Sequence, residues 1–117
     1  MKMHPPCRGD IWLADLEPVA GHEQGGRRPC LIVSDDAFNH GPAGLVVVLP
    51  VTSRNRGIPL HVALTPPEGG LKMASVVMPE MVRSISVTRL GKRLGKVTPD
   101  TLELVAERLE VLLCLGQ

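Results

Sequence analysis

The sequence predicts a mainly β fold, a small closed or half-closed barrel finished by one C-terminal helix. Three observations carry this. Short apolar runs recur through most of the chain. They are separated by clusters drawn from 12 glycines and 11 prolines, the residues that tight turns demand. A helical hydrophobic period shows clearly only at the end.

Residues 8–16 read as a first strand, with Ile11 and Leu13 sharing a face. Glu17-Pro18 ends it, and a polar, glycine-rich loop covers 21–28. Residues 29–34 form a second strand, apolar enough to be buried on both faces. A turn or single helical turn at 35–39 is broken by Gly41-Pro42. The third strand is 45–51, the fourth 60–64, with the polar connection 52–57 between them. After a turn at 66–70 come a short strand at 75–78 and a stretch, 82–90, that continues the sheet behind a helical turn. Thr98 is the expected N-cap of the final helix and Pro99 its first residue. Leu102, Val105, Leu109 and Leu112 make its apolar stripe, and Gly116 is the expected stop.

Size and composition bound the function. The 117 residues make one domain, 1–117, long enough to bury a core of its own. With 44% hydrophobic and 21% charged residues, a disordered tail is excluded. The longest apolar run, 44–51, is too short to span a membrane, and no signal-peptide core follows Lys2. A cytoplasmic location without membrane association is expected. Cys7, Cys30 and Cys114 are odd in number and far apart, so each reads as a small core hydrophobe rather than part of a disulfide framework. No zinc knuckle is read among the Cys and His residues, and neither a metal nor a cofactor is expected.

A net charge of +1 hides an uneven distribution. Residues 54–97 hold eight Lys or Arg against Glu68 and Glu80, whereas residues 98–117 hold four acids against Arg108. A basic middle suits a polyanion. With only Trp12, Phe38 and no tyrosine, the chain cannot stack bases on a broad aromatic platform. An RNA partner would have to be held by arginines, hydroxyls and backbone groups.

RNA can be cut without a metal because its 2′-hydroxyl is the nucleophile. The protein need only take that proton, neutralise the charge on phosphorus and let the 5′-oxygen leave. A carboxylate or histidine serves the first need, and the planar guanidinium of arginine serves the second. The loop His22-Glu23-Gln24-Gly25-Gly26-Arg27-Arg28 and the connection Thr52-Ser53-Arg54 contain every part. Each part alone has a plainer reading: Gly-Gly as a turn, Arg27 and Arg28 as surface charge, Thr52-Ser53 as turn chemistry. His4, His40 and His61 carry less signal than His22. Arg8-Gly9-Asp10 spells an adhesion tripeptide, read here as coincidence.

In order, the blocks Arg8-Gly9-Asp10-Ile11-Trp12, Gly21-His22-Glu23-Gln24 with Arg28-Pro29, and Pro50-Val51-Thr52-Ser53 resemble the MazF/PemK family of toxin endoribonucleases, its PemK branch most closely. The similarity extends through Val82-Arg83-Ser84-Ile85 and Leu90-Gly91 toward the final helix. It implies an SH3-like barrel of the CcdB/PemK type, a homodimer, and single-stranded RNA bound in a groove across the dimer. It also implies metal-independent cleavage to 2′,3′-cyclic phosphate and 5′-hydroxyl ends, and a cognate antitoxin that occupies the groove. DNA would be met only indirectly, through that antitoxin. By position, Arg28 matches the family's catalytic arginine and Thr52 its catalytic threonine. Glu23 is the first choice for general base and Ser53 joins Thr52 on the phosphate oxygens. His22, Gln24, Arg27, Arg54, Glu80 and Arg83 are expected RNA contacts. Where the PemK branch has an arginine, a spacer and an acid, this chain has Met78, Pro79 and Glu80, and Met81 replaces the glutamine that commonly follows. The acid survives and the arginine does not. A CcdB-like topoisomerase poison and a non-catalytic binding module are the alternative readings.

Overall fold

The computed structural model describes residues 4–17, 21 and 26–116. Seven strands and two helices follow in the order β1 (Asp10–Asp15), β2 (Arg27–Ile32), α1 (Asp36–Asn39), β3 (Leu45–Thr52), β4 (Val62–Leu64), β5 (Ser75–Val77), β6 (Arg83–Ser86), β7 (Leu90–Lys96) and α2 (Pro99–Leu113).

The sheet is organised around β3. One edge pairs antiparallel with β2, Cys30 opposite Pro50 and Ile32 opposite Val48. The other edge changes partner along its length: Leu45 to Val48 face β6, while Val51 and Thr52 face β5. The exchange brackets Pro50, which has no N–H to give to a ladder. The full path runs β4-β5-β3-β2-β1-β7 with β6 branching from β3, and the sheet curls into a half-barrel.

Both faces of the central strands are covered. One cluster gathers Ile11, Leu31, Leu49, Val77 and Val105, bringing α2 onto the sheet. The other gathers Trp12, Cys30, Ile32, Val48 and Ile85. Complete burial of a Leu or Ile stabilises the fold by roughly 1.5–3 kcal/mol. β1 therefore differs from its sequence reading: Trp12 and Ala14 are buried as well as Ile11, so both of its faces are inside.

β7 was not foreseen. Its sequence, LGKRLGK, has three cations and two glycines and shows no strand pattern. It forms because β1 offers an open edge, and it pairs there with register shifts. A charged, irregular terminal strand also discourages edge-to-edge association.

Thr98 caps α2 as predicted, its Oγ1 accepting from Thr101 N at 3.2 Å, with Pro99 opening the helix. Glu68 Oε2 accepts from Thr98 N at 3.0 Å, tying the cap to a 3-10 turn at Glu68–Gly70. That turn lies flat against β7: a Cβ on Gly70 would sit 1.9 Å from the Leu94 carbonyl oxygen, so no other residue fits. The helix stops earlier than expected. Cys114, not Gly116, takes the left-handed conformation at φ 58°, and Leu115 N closes on Glu110 O. Leu112 remains 37% exposed at the end of the stripe.

The Arg8-Gly9-Asp10 triplet has a structural explanation. The Arg8 guanidinium donates to the Val33 carbonyl, Gly9 turns at φ 93°, and buried Asp10 receives Trp12 Nε1 at 3.2 Å.

Candidate active site

Arg28 is the second residue of β2, opposite Ala14 of β1. Continuing the β2–β3 register two residues beyond Cys30 and Pro50 sets Arg28 across from Thr52. Period-two alternation then carries Arg28, Cys30 and Thr52 to one face. Arg28 and Thr52 both line a pocket of about 640 Å³ that also includes Ser53, Arg54, Arg56 and Glu80. A second hollow, of about 330 Å³, shares Arg28, Thr52 and Ser53 and adds Lys72. The three shared residues thus form a wall between two adjoining recesses, with cations in both.

Thr52 is 8% exposed, and its Oγ1 accepts from Arg54 N at 3.2 Å. This turn points the chain at 53–56 along the pocket rim. Three guanidinium groups, Arg28, Arg54 and Arg56, meet one carboxylate, Glu80, in the same pocket. The balance favours an anion.

Glu80 sits in a 3-10 turn, Pro79–Met81, that follows β5. Its Oε2 lies 2.6 Å from Nε2 of His61, whose side chain is only 4% exposed. His61 Nδ1 is buried without a hydrogen-bond partner among the described residues. One imidazole nitrogen therefore fixes the carboxylate at the pocket wall. Nothing in the sequence pointed to this pair: a lone histidine ahead of a strand and a glutamate 19 residues later have no motif in common.

Cys30, below Arg28 on the same face, is unsuited to chemistry. Burial pushes its thiol up to about 12, outweighing the opposing pull of Arg83 and Arg28. It is the core hydrophobe that was expected, whereas Cys7 is partly exposed and Cys114 exposed.

Of the residues singled out by sequence, Arg28, Thr52, Ser53, Arg54 and Glu80 converge on this pocket. Arg27 does not line it; it stands exposed opposite Asp15. Arg83 is also elsewhere, on β6 opposite Val48, where its Nη1 donates to the Leu16 carbonyl at 3.1 Å. His22, Glu23 and Gln24 lie outside the described residues. Met78 is 4% exposed, and with Met81 it gives the pocket an apolar side.

The profile of the family described as PemK-like, MazF-like toxin of type II toxin-antitoxin system matches residues 7–113. The chain is 33% identical over 109 residues to the endoribonuclease EndoA of Bacillus subtilis (strain 168), covering 92% of this chain and 94% of that protein. The crystal structure of MazF from Deinococcus radiodurans superposes with a TM-score of 0.83 at 37% identity, covering 98% of this chain and all of that one. An endoribonuclease in complex with its cognate antitoxin, from a mycobacterial species, gives a TM-score of 0.74 at 29% identity, with 96% of each chain covered. With a family match across nearly its whole length and the fold shared with these relatives, the chain belongs to the PemK-like, MazF-like toxins of type II toxin–antitoxin systems.

Proposed function

We propose that the pocket at Arg28 and Thr52 is the active site of an endoribonuclease that cuts single-stranded RNA. The observation that carries this reading is the convergence of Arg28, Thr52 and Ser53 on one wall between two cation-lined recesses. An RNA strand crossing that wall presents a phosphodiester to it, with a nucleoside on either side. The ribose 2′-oxygen attacks phosphorus and its proton passes to a carboxylate. Arg28 neutralises the charge gathering on the non-bridging oxygens, which the Thr52 and Ser53 hydroxyls hold. The P–O5′ bond breaks as the departing 5′-oxygen takes up a proton delivered from solvent through Arg28, leaving a 2′,3′-cyclic phosphate and a 5′-hydroxyl.

Two carboxylates compete for the proton. Glu23 is the choice made on sequence; Glu80, steadied by His61, is favoured by geometry among the described residues. In this scheme His61 is a positioning residue. Loss of turnover in Glu80→Gln with activity retained in Glu23→Gln assigns the base to Glu80, and the converse result assigns it to Glu23.

The working form is a homodimer in the cytoplasm, where messenger RNA is met, silenced by an antitoxin. Val111, Leu113 and Leu115, 67%, 50% and 68% exposed, are apolar surface that a second copy can cover. The antitoxin role is supported by the mycobacterial relative, whose structure holds its cognate antitoxin.

The test is cleavage of a defined RNA with and without EDTA, with product ends mapped. Cleavage that survives EDTA and stops when the 2′-hydroxyl at the cut site is replaced by hydrogen supports the scheme. A cut that persists in the 2′-deoxy substrate overturns it.

A further inference from the structure

At the opposite end of β1, away from the pocket, two groups of metal-ligating side chains share Cys7: His4, Cys7 and Asp10, and Cys7, Asp36 and His40. Within each group the ligand atoms all lie within 4.8 Å of one another. They come from separate parts of the chain, the segment ahead of β1 and the short helix after β2. We propose that His4, Cys7, Asp36 and His40 bind one zinc-class divalent cation, which clamps the N-terminal segment to α1.

The spacing fits. Cys7 Sγ stands 3.8 Å from His40 Nε2. With Zn–S near 2.3 Å and Zn–N near 2.1 Å, tetrahedral coordination needs those atoms about 3.6 Å apart. The pair is therefore almost at bonding separation before any metal arrives. Asp36 and His40 project together because they are four residues apart, His40 being the C-cap of α1. Asp36 commits Oδ1 to Arg8 N at 2.7 Å and Asn39 Nδ2 at 3.3 Å, and Oδ2 carries no hydrogen bond among the described residues.

Asp10 is excluded as a ligand by its own partners. Its Oδ2 receives Cys7 N at 3.0 Å and Trp12 Nε1 at 3.2 Å, and its Oδ1 pairs with Arg93 at 3.3 Å. It is the group behind the site that fixes the Cys7 backbone. His4, exposed and 3.8 Å from Asp10 Oδ2, turns from that contact to supply the fourth donor. His40 Nε2 exchanges its 2.7 Å contact with the Pro6 carbonyl for the metal bond.

The donor chemistry chooses the ion class. One thiolate and one carboxylate neutralise a dication, and a sulfur with two imidazoles selects zinc or cobalt over magnesium or calcium. The set is not visible in the sequence because it joins two distant pairs, His4 and Cys7 on either side of Pro5-Pro6, and Asp36 and His40 four residues apart. His40 is brought in by the fold.

The experiment uses the full chain carrying Cys114→Ser, which removes the exposed thiol, titrated with Co²⁺ and then Zn²⁺. One equivalent of cobalt gives a thiolate charge-transfer band that zinc abolishes, and zinc at 100-fold excess over Kd raises Tm by at least about 5 °C. Adding Cys7→Ser eliminates the band and the Tm shift, and adding His40→Ala weakens binding at least about tenfold. Circular dichroism of both variants guards against misfolding. RNA cleavage by both is unchanged, which separates this test from that of the nuclease. Absence of the band in the parent, or a band that survives in both variants, overturns the site.

Discussion

The arginines of this protein divide into two sets that sequence does not distinguish. Arg83, Arg89 and Arg93 are bound within the fold, Arg83 to the Leu16 carbonyl, Arg89 to the Asp15 and Glu17 carbonyls, and Arg93 to buried Asp10. Arg54 and Arg56 line the pocket and make no side-chain hydrogen bond or ion pair among the described residues. Arg28 lines the same pocket, together with Thr52. Three of the eight cations in residues 54–97 are therefore scaffold, and a charge count overstates the surface available to a polyanion. What separates the sets is the part of the fold each meets. Arg83 and Arg89 face carbonyls at the end of β1 and Arg93 faces the Asp10 carboxylate at its start, whereas Arg54 and Arg56 line the pocket.

Substitutions can break or sharpen this division. Arg28→Ala should give the largest effect, a loss of about 3 kcal/mol of transition-state stabilisation, or two to three orders of magnitude in turnover. Single-turnover cleavage checks this, and full activity would remove Arg28 from the chemistry.

Arg93→Met should do the reverse. It leaves the Asp10 carboxylate, 1% exposed, without its cation, and about 2 kcal/mol of stability is lost in denaturant titration. Arg83→Met should cost about 1 kcal/mol by freeing the Leu16 carbonyl. Either variant melting like the parent would show that its ties are idle.

Arg54→Ala with Arg56→Ala should leave stability unchanged and weaken RNA binding. The slope of log K against log salt should fall by about 0.7 for each lost phosphate contact. An unchanged slope would place both arginines off the RNA path. The smallest effect concerns Cys30. Its thiol is raised in the folded chain, so the neutral form is the one that folding favours. Stability is complete below the ordinary value of 9.0 and declines as pH rises toward about 12. Cys30→Ala should flatten that alkaline limb of the melting profile.

Much of the architecture was legible. Apolar runs gave β3 nearly to the residue and β2 with a shift of two residues at each end, and Thr98-Pro99 gave the start of α2, because local propensity and tertiary burial agree there. β7 was hidden because pairing, not composition, makes it a strand. The helix end was misplaced because Cys114 accepts a conformation usually left to glycine. Within the site, Arg28, Thr52 and Ser53 could be found through resemblance. His61 could not, since its importance lies in a 2.6 Å contact between distant segments. Arg27 and Arg28 are adjacent in sequence and both were expected to meet RNA, Arg28 as the catalytic group, yet alternation sends only Arg28 to the pocket.

The continuous β2–β3 register has a consequence for how this protein tolerates change. Lengthening the exposed turn at Pro42-Ala43 leaves the ladder and α1 intact, so extra residues there should cost the enzyme little. Deleting a single residue between Arg28 and Cys30 would instead move the guanidinium to the reverse side of its strand. Tolerance to insertions and deletions should therefore change abruptly at the strand boundary, with catalysis failing well before folding does.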